Sequence, residues 1–242
     1  MIEVKNLTKK FNRFTALDNL NLNFTNGKSI ALIGPNGCGK TTLIKCILRL
    51  DVIKTGDILV DGKSVKKDYL YRENIGYMPQ IGRYPENMTI GQTIKMIQDA
   101  RKVSENELDK ELLEAFEIEK MYDKKMSNLS GGTTQKVSAV LAFMFNPKII
   151  ILDEPTAGLD PLASEILKNK IVQEKNKGKL IIITSHLLSE LDDMVSEIVF
   201  INEGKVIVQQ SVQDLMTDRN SEKISDSIIS ILKEMKEKSV TK

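Results

Sequence analysis

The chain has 242 residues, 41% of them apolar, with 35 Lys and Arg against 33 Asp and Glu. That length and apolar fraction allow one large domain or two small ones around a buried core, while a net charge of +2 is too weak a field to argue for nucleic acid or an acidic membrane as a partner. The most apolar stretches, near Leu141 and Ile149, are split by Asn146 and Pro147, so no run of about 18 apolar residues exists to cross a bilayer.

The polar start MIEVKNLTKKF carries no apolar leader, and Cys38 and Cys46 are the two cysteines; unpaired thiols without a leader point to a reducing, cytoplasmic setting. In the first thirty-odd residues Leu20, Leu22 and Phe24 share one strand face, and Asn26-Gly27 reads as a tight hairpin turn. The next run, SIALIG, is apolar on both faces, as suits a central strand covered on both sides.

Directly after it comes GPNGCGKTT, Gly34 to Thr42. The pattern Gly34-x-x-x-x-Gly39-Lys40-Thr41, between a buried strand and the helix-prone TTLIKCILRL, matches a phosphate-binding P-loop. Its parts (Gly34, Pro35, Asn36, Gly37, Cys38, Gly39, Lys40, Thr41, Thr42) are read as one anion cradle. Glycines let main-chain amides turn inward, the helix start adds positive potential, Lys40 neutralises β and γ phosphates, and the Thr41 hydroxyl ligates Mg²⁺. Cys38 makes its contact through the main chain, leaving its thiol open to alkylation. If Cys38 and Cys46 lie on one helix, roughly 12 Å apart, they form no bridge.

After ENIGYMPQ, the segment from about Ile81 to Ser127 is mostly helix-like, with Leu108, Leu112, Leu113 and Phe116 at helical spacing. A helical subdomain inserted at about 81–135 is expected. Two more buried runs follow. KIIILDEP ends in Asp153, placed to hold Mg²⁺, and Glu154, placed to polarise an attacking water. KLIIITSH ends in His186, the only histidine, on the strand edge where open α/β sheets bind ligands and so near a γ-phosphate. EIVFINEGKVIVQQ reads as two strands joined at Glu203-Gly204, and 211–242 as a charged, weakly amphipathic helical tail to a domain spanning 1–210. The fold class expected is α/β: a P-loop NTPase core with a mainly parallel sheet, an N-terminal antiparallel β-subdomain and the inserted helices.

With those residues placed, NLSGGTTQK, Asn128 to Lys136, resembles the signature sequence of ATP-binding cassette (ABC) ATPases, and the other motifs of that family come in its order over residues 1 to about 210. They are an aromatic at Phe11, with Phe14 as a competitor, Walker A at Gly34 to Thr42, the Q-loop at Gln80, the signature at Leu129 to Gly132, Walker B at Ile149 to Asp153, Glu154, the D-loop AGLD at Ala157 to Asp160, and a switch histidine at His186. The resemblance implies a head-to-tail dimer with two ATP molecules between its subunits. In it Ser130, Gly131 and Gly132 cap the γ-phosphate held by the partner, and Asp160 sits across the interface. Gln80 reaches metal and water from a hinge, and Phe11 stacks on adenine. Catalysis then falls to Glu154, His186 and Gln80, and Mg²⁺ to Thr41, Gln80 and Asp153. Thr133 departs from the family, where Gln is frequent, and puts that position's nucleotide contact in doubt.

One cassette without a heptad arm or basic surplus implies a separate transmembrane permease subunit, with this chain peripheral on the inner face of the cell membrane and no nucleic-acid partner. Such partners dock on the stretch after the Q-loop, where Tyr84, Pro85, Met88 and Ile90 are expected to form a groove. Only some thirty residues follow the last strand, which tilts the expectation toward an export or ABC-2 system. IGYMPQIGRYPEN, Ile75 to Asn87, also resembles ATPases grouped with nitrous oxide reductase maturation and copper handling. The competing reading is a soluble nucleotide-sensing ABC module acting on a non-transport partner; the filled positions 154 and 186 speak for turnover instead.

Overall fold

A computed structural model describes residues 1–185, 188–191 and 193–240. In chain order its strands are β1 (Ile2–Phe11), β2 (Phe14–Phe24), β3 (Ser29–Ile33), β4 (Thr55–Val60), β5 (Lys63–Ser64), β6 (Ile75–Met78), β7 (Ile149–Asp153), β8 (Leu180–Thr184), β9 (Glu197–Asn202) and β10 (Lys205–Ser211). The α-helices are α1 (Lys40–Ile47), α2 (Ile90–Arg101), α3 (Glu111–Ala115), α4 (Gly131–Phe143), α5 (Pro161–Asn176), α6 (Val212–Asp218) and α7 (Ile224–Val240).

Among the described residues two sheets form. The antiparallel one runs β2-β1-β4-β5, and the main one β10-β9-β3-β8-β7-β6, parallel throughout except for the edge strand β10. Strands β3, β7 and β8 are buried at every position, because successive side chains enter opposite cores. Ile30, Leu32, Ile149, Ile151 and Ile182 pack against α1 and the antiparallel sheet. Ala31, Ile33, Ile150, Leu152 and Ile183 pack on the other face with α4, α5 and the helices between β6 and β7. Each fully buried Ile or Leu is worth about 1.5–3 kcal/mol, so the centre of the sheet contributes heavily to the stability of the fold.

Several local expectations are corrected. Asn26-Gly27 closes no hairpin: β2 pairs with β1, and the turn hands the chain to β3 in the other sheet. The β1–β2 turn is at Asn12-Arg13, where Asn12 takes the positive φ of 53°. Glu203-Gly204 does join β9 to β10, with φ of 47° and 73°. Helix α1 begins at Lys40, so Cys38 precedes it and the two thiols do not share a helix. Both cysteines are free and buried. The leucines at helical spacing give only a short α3; Leu108 lies before it, after a 3₁₀ turn at Glu105–Glu107.

The inserted helices share their core with the sheet: Ile90, Ile94, Leu112, Leu113, Phe116 and Met126 lie in the same cluster as Val140 and Leu152. Leu215, Ile224, Ile228 and Ile231 of α6 and α7 join it as well. Behind this cluster runs a chain of ion pairs from α5, where Lys170 meets Asp109 at 2.6 Å, Glu111 at 2.7 Å and Glu174 at 3.1 Å.

Candidate active site

The parallel strands end on one edge, and each delivers a polar residue there. β3 runs into the loop Gly34–Gly39 and then α1. Gly34 tolerates no side chain, since a Cβ would stand 2.0 Å from the Ile201 carbonyl oxygen, and Gly39 opens α1 at φ 114°. The loop is thereby pressed against β9 and closes in front of the helix start, whose first amides have no intrahelical partner. Inside its curve Lys40, 8% exposed, donates from Nζ to the carbonyls of Gly34 at 2.6 Å and Pro35 at 3.1 Å. Cys38 is only 4% exposed, which corrects the expectation of a thiol open to alkylation.

At the end of β7, Asp153 is gripped by two hydroxyls: Thr184 Oγ1 donates to its Oδ1 at 2.6 Å, and Thr41 Oγ1 to its Oδ2 at 3.4 Å. Thr184 also accepts from the Glu154 amide at 3.0 Å. Glu154 turns out of the strand in the left-handed region, φ 54°, a conformation costing about 1–3 kcal/mol for a non-glycine residue. Its carboxylate accepts from Gln80 Nε2 at 2.8 Å. The Gln80 carbonyl in turn accepts from the buried Gln135 amide of α4 at 3.3 Å.

Sequence reasoning missed Thr184 and Gln135. The signal for Thr184 was a hydroxyl ending an otherwise apolar buried strand. For Gln135 it was an amide three residues after the glycine pair, where the apolar part of α4 begins. His186 falls outside the described residues.

A cavity of about 430 Å³ lies over this edge, lined by Phe11, Phe14, Gly37, Lys40, Thr41 and Glu154 among others. Phe11 and Phe14, on either side of the β1–β2 turn, are 45% and 62% exposed. Asn36, Thr42 and Gln80 also face it, whereas among the described residues Ser130, Gly131 and Gly132 do not. Those three start α4 instead. Ser130 caps the helix, accepting from the Thr133 amide at 3.2 Å, and its hydroxyl meets that of Thr133 at 2.9 Å. A Cβ on Gly131 would meet nothing within 4 Å, whereas one on Gly132 would stand 2.8 Å from the Gly158 carbonyl oxygen. Asp160 caps α5 through the Ala163 amide at 2.9 Å and pairs with Lys136 of α4 at 2.7 Å. The Lys136 ammonium holds its carboxyl below the usual carboxylate range.

Signature and phosphate loop thus stand at different places on one chain. The first offers a serine hydroxyl and free amides at a helix start, and the second a lysine and amides at another; both suit an anion.

The family described as ABC transporter matches residues 17–157. The chain is 33% identical over 210 residues to the lantibiotic transport ATP-binding protein SrtF of Streptococcus pyogenes, covering 87% of this chain and 90% of that one. It is 32% identical over 238 residues to the glutamine transport ATP-binding protein GlnQ of Escherichia coli strain K12, with 93% and 98% covered. In structure it resembles an ATP-binding subunit of an ABC transporter at a TM-score of 0.89, with 28% identity and 96% and 99% covered. It also resembles the bacterial cassette MJ0796, solved as a dimer at a TM-score of 0.78, with 26% identity and 88% and 99% covered. The same cassette was also solved after hydrolysis with ADP and phosphate bound. Neither relative named here is tied by its name to nitrous oxide reductase or copper, and that narrower resemblance of Ile75 to Asn87 finds no support.

Proposed function

This chain belongs to the ABC transporter family as an ATP-binding subunit and ATPase, and on that premise we propose that it drives transport through a separate membrane subunit by closing and reopening a head-to-tail dimer around ATP. The observation that carries the proposal is the convergence of Lys40, Thr41, Asp153, Glu154 and Gln80 on one strand edge under one cavity.

Lys40 and the amides opening α1 hold the triphosphate, whose oxygens compete for the ammonium now donated to two loop carbonyls. Mg²⁺ fits the donor set: a hydroxyl and a carboxylate oxygen, both hard ligands, already aligned by Thr184. Bound there, it supplies charge neutralisation on the phosphates. Glu154 polarises the attacking water, and Gln80 orients that carboxylate while its main chain is tied to α4. Since the signature residues lie outside the cavity, Ser130, Gly131 and Gly132 act on the nucleotide of a second copy, with Asp160 near that interface and His186 at the γ-phosphate. In this reading 1–210 is the ATPase domain with helices inserted at about 81–135, and 211–242 is a helical tail packed into the same core through Leu215, Ile224, Ile228 and Ile231.

Among the described residues no helix is long and apolar enough to cross a membrane. The docking surface for a membrane subunit is proposed at a second cavity, about 260 Å³, lined by Leu48, Leu50, Tyr77, Tyr84, Ile97 and Leu141. Of the residues expected there, Tyr84 lines it, while Ile90 is fully buried. Leu50, 60% exposed, forms part of its rim and suits the apolar face of an amphipathic helix. The chain would then sit on the inner face of the membrane. Outward, ABC-2-type transport is proposed as the direction; ATP-dependent movement of a cargo in inside-out vesicles decides it.

Phosphate release tests the enzymatic core. Glu154→Gln is expected to lower turnover about 10²–10⁴-fold, the usual contribution of a positioned base, with ATP binding retained. Wild-type protein that closes on ATP without releasing phosphate would favour the nucleotide-sensing alternative.

A further inference from the structure

Lys9 and Phe11 are two apart on β1 and so share a face. The Lys9 ammonium stands 4.8 Å over the centroid of the Phe11 ring, in the range where the negative face of an aromatic attracts a cation. It is not a loose surface charge. Its side chain is 12% exposed, and Nζ also donates to Asp51 Oδ1 at 2.9 Å and to the Val52 carbonyl at 3.1 Å. Asp51 is itself anchored, its amide donating to the Lys45 carbonyl of α1 at 3.3 Å. A fixed cation therefore occupies one face of Phe11, and the ring, 45% exposed, turns toward the cavity at the phosphate loop. Phe14 lines the same cavity but is 62% exposed and has no cation over its ring among the described residues.

We propose that Lys9 is a positioning residue for nucleotide-base binding: clamped by Asp51 and Val52, it holds the Phe11 ring so that a purine stacks on its open face, making Phe11 rather than Phe14 the base seat. The arrangement makes α1 a strut with both ends of the ligand on it. The triphosphate sits at its start, Lys40 to Thr42, and the base seat is tied through Lys9 and Asp51 to the chain leaving its end. Fixing the ring before the base arrives removes the rotamer entropy that stacking on a free side chain would cost. The proposal rests on the reading of the cavity as an ATP site.

The test compares dissociation constants for ATP and inorganic tripolyphosphate, which lacks the base, by calorimetry on the full chain. Lys9→Met is expected to weaken ATP roughly three- to ten-fold, the scale of a part-buried cation–π contact, and to leave tripolyphosphate unchanged. Lys9→Arg, which keeps both the cation over the ring and the pair with Asp51, restores ATP binding. Phe11→Ala weakens ATP more than Phe14→Ala does. ATP binding to Lys9→Met at wild-type strength, or an equal loss for both ligands, overturns the role given to Lys9. Wild-type protein that binds ATP no better than tripolyphosphate contradicts instead the reading of the cavity as a nucleotide site.

Discussion

Thr184 joins two acids that would otherwise act apart: its hydroxyl donates to Asp153 and accepts from the Glu154 amide. Removing it leaves the buried Asp153, 3% exposed, short of a partner at a cost of about 1–3 kcal/mol. Thr184→Val is therefore expected to reduce ATP turnover at least ten-fold and to shift the Mg²⁺ concentration at half-maximal rate upward, while Thr184→Ser keeps both near wild type. Unchanged Mg²⁺ dependence in the valine variant would show that Asp153 does not need this bond. Thr133 belongs to the same scale. Its hydroxyl touches that of Ser130, so Thr133→Val is expected to raise the ATP concentration at half-maximal rate several-fold without lowering binding to the monomer. Thr133→Ser should not. What made Lys40, Thr41, Gln80, Asp153 and Glu154 readable is that each follows a buried strand or sits in a spaced motif. Thr184 ends an apolar strand and Gln135 lies within NLSGGTTQK, yet their partners, Asp153 and the Gln80 carbonyl, emerge only when strands and helices are laid side by side.

Between elements, charge adds to the apolar packing. Lys170 and Glu174 of α5 are each 1% exposed, yet Lys170 meets Asp109, Glu111 and Glu174, while Glu174 also meets Lys177 and Lys179. Burial pushes the Glu174 carboxyl up, but the three lysines overcome it and hold it at about 2. With its folded value below the ordinary 4.5, its stabilisation is complete above that pH and fades as pH falls toward 2. The wild type should thus lose unfolding free energy between about pH 4.5 and 2 more steeply than Glu174→Gln, in urea titrations across that window. Lys170→Met leaves Asp109 and Glu111 without this lysine while Glu174 keeps Lys177 and Lys179, and a loss of about 1–3 kcal/mol is expected at neutral pH; a loss under about 0.5 kcal/mol would mean the cluster is solvated and nearly neutral in effect. The starts of α4 and α5 are joined in the same manner, by Lys136 with Asp160 and by the approach of Gly132 to Gly158. This scale was the hardest to read from sequence. Asn26-Gly27 has hairpin chemistry but connects two sheets, because β3 is apolar on both faces and is drawn to the parallel core. The spacing of Leu108 to Phe116 promised a longer helix than Glu111–Ala115; the Asp109 amide bonds the Met144 carbonyl instead.

At the scale of the molecule, the fold class and order of layers were legible, since three all-apolar runs demand a sheet covered on both faces. The sharing of one core by the inserted helices, α6 and α7 was not, because amphipathic spacing does not say which surface it meets. That shared core gives the groove at Leu50 a physical link to the site: the groove is lined from α2 and α4, and α4 also carries Gln135, bonded to Gln80. Leu50→Asp, at an exposed rim position, is expected to abolish co-purification with the proposed membrane subunit and any stimulation of turnover by it, leaving the isolated ATPase rate within two-fold; retained co-purification would place docking elsewhere. The central claim is that one chain's lysine loop and another's serine-glycine cap share each ATP. It is tested most directly by light scattering on Glu154→Gln with saturating Mg-ATP. The account predicts a doubling of molar mass, abolished by adding Ser130→Arg at the exposed cap. A protein that binds ATP yet keeps its monomer mass, or a dimer indifferent to Ser130→Arg, would contradict it.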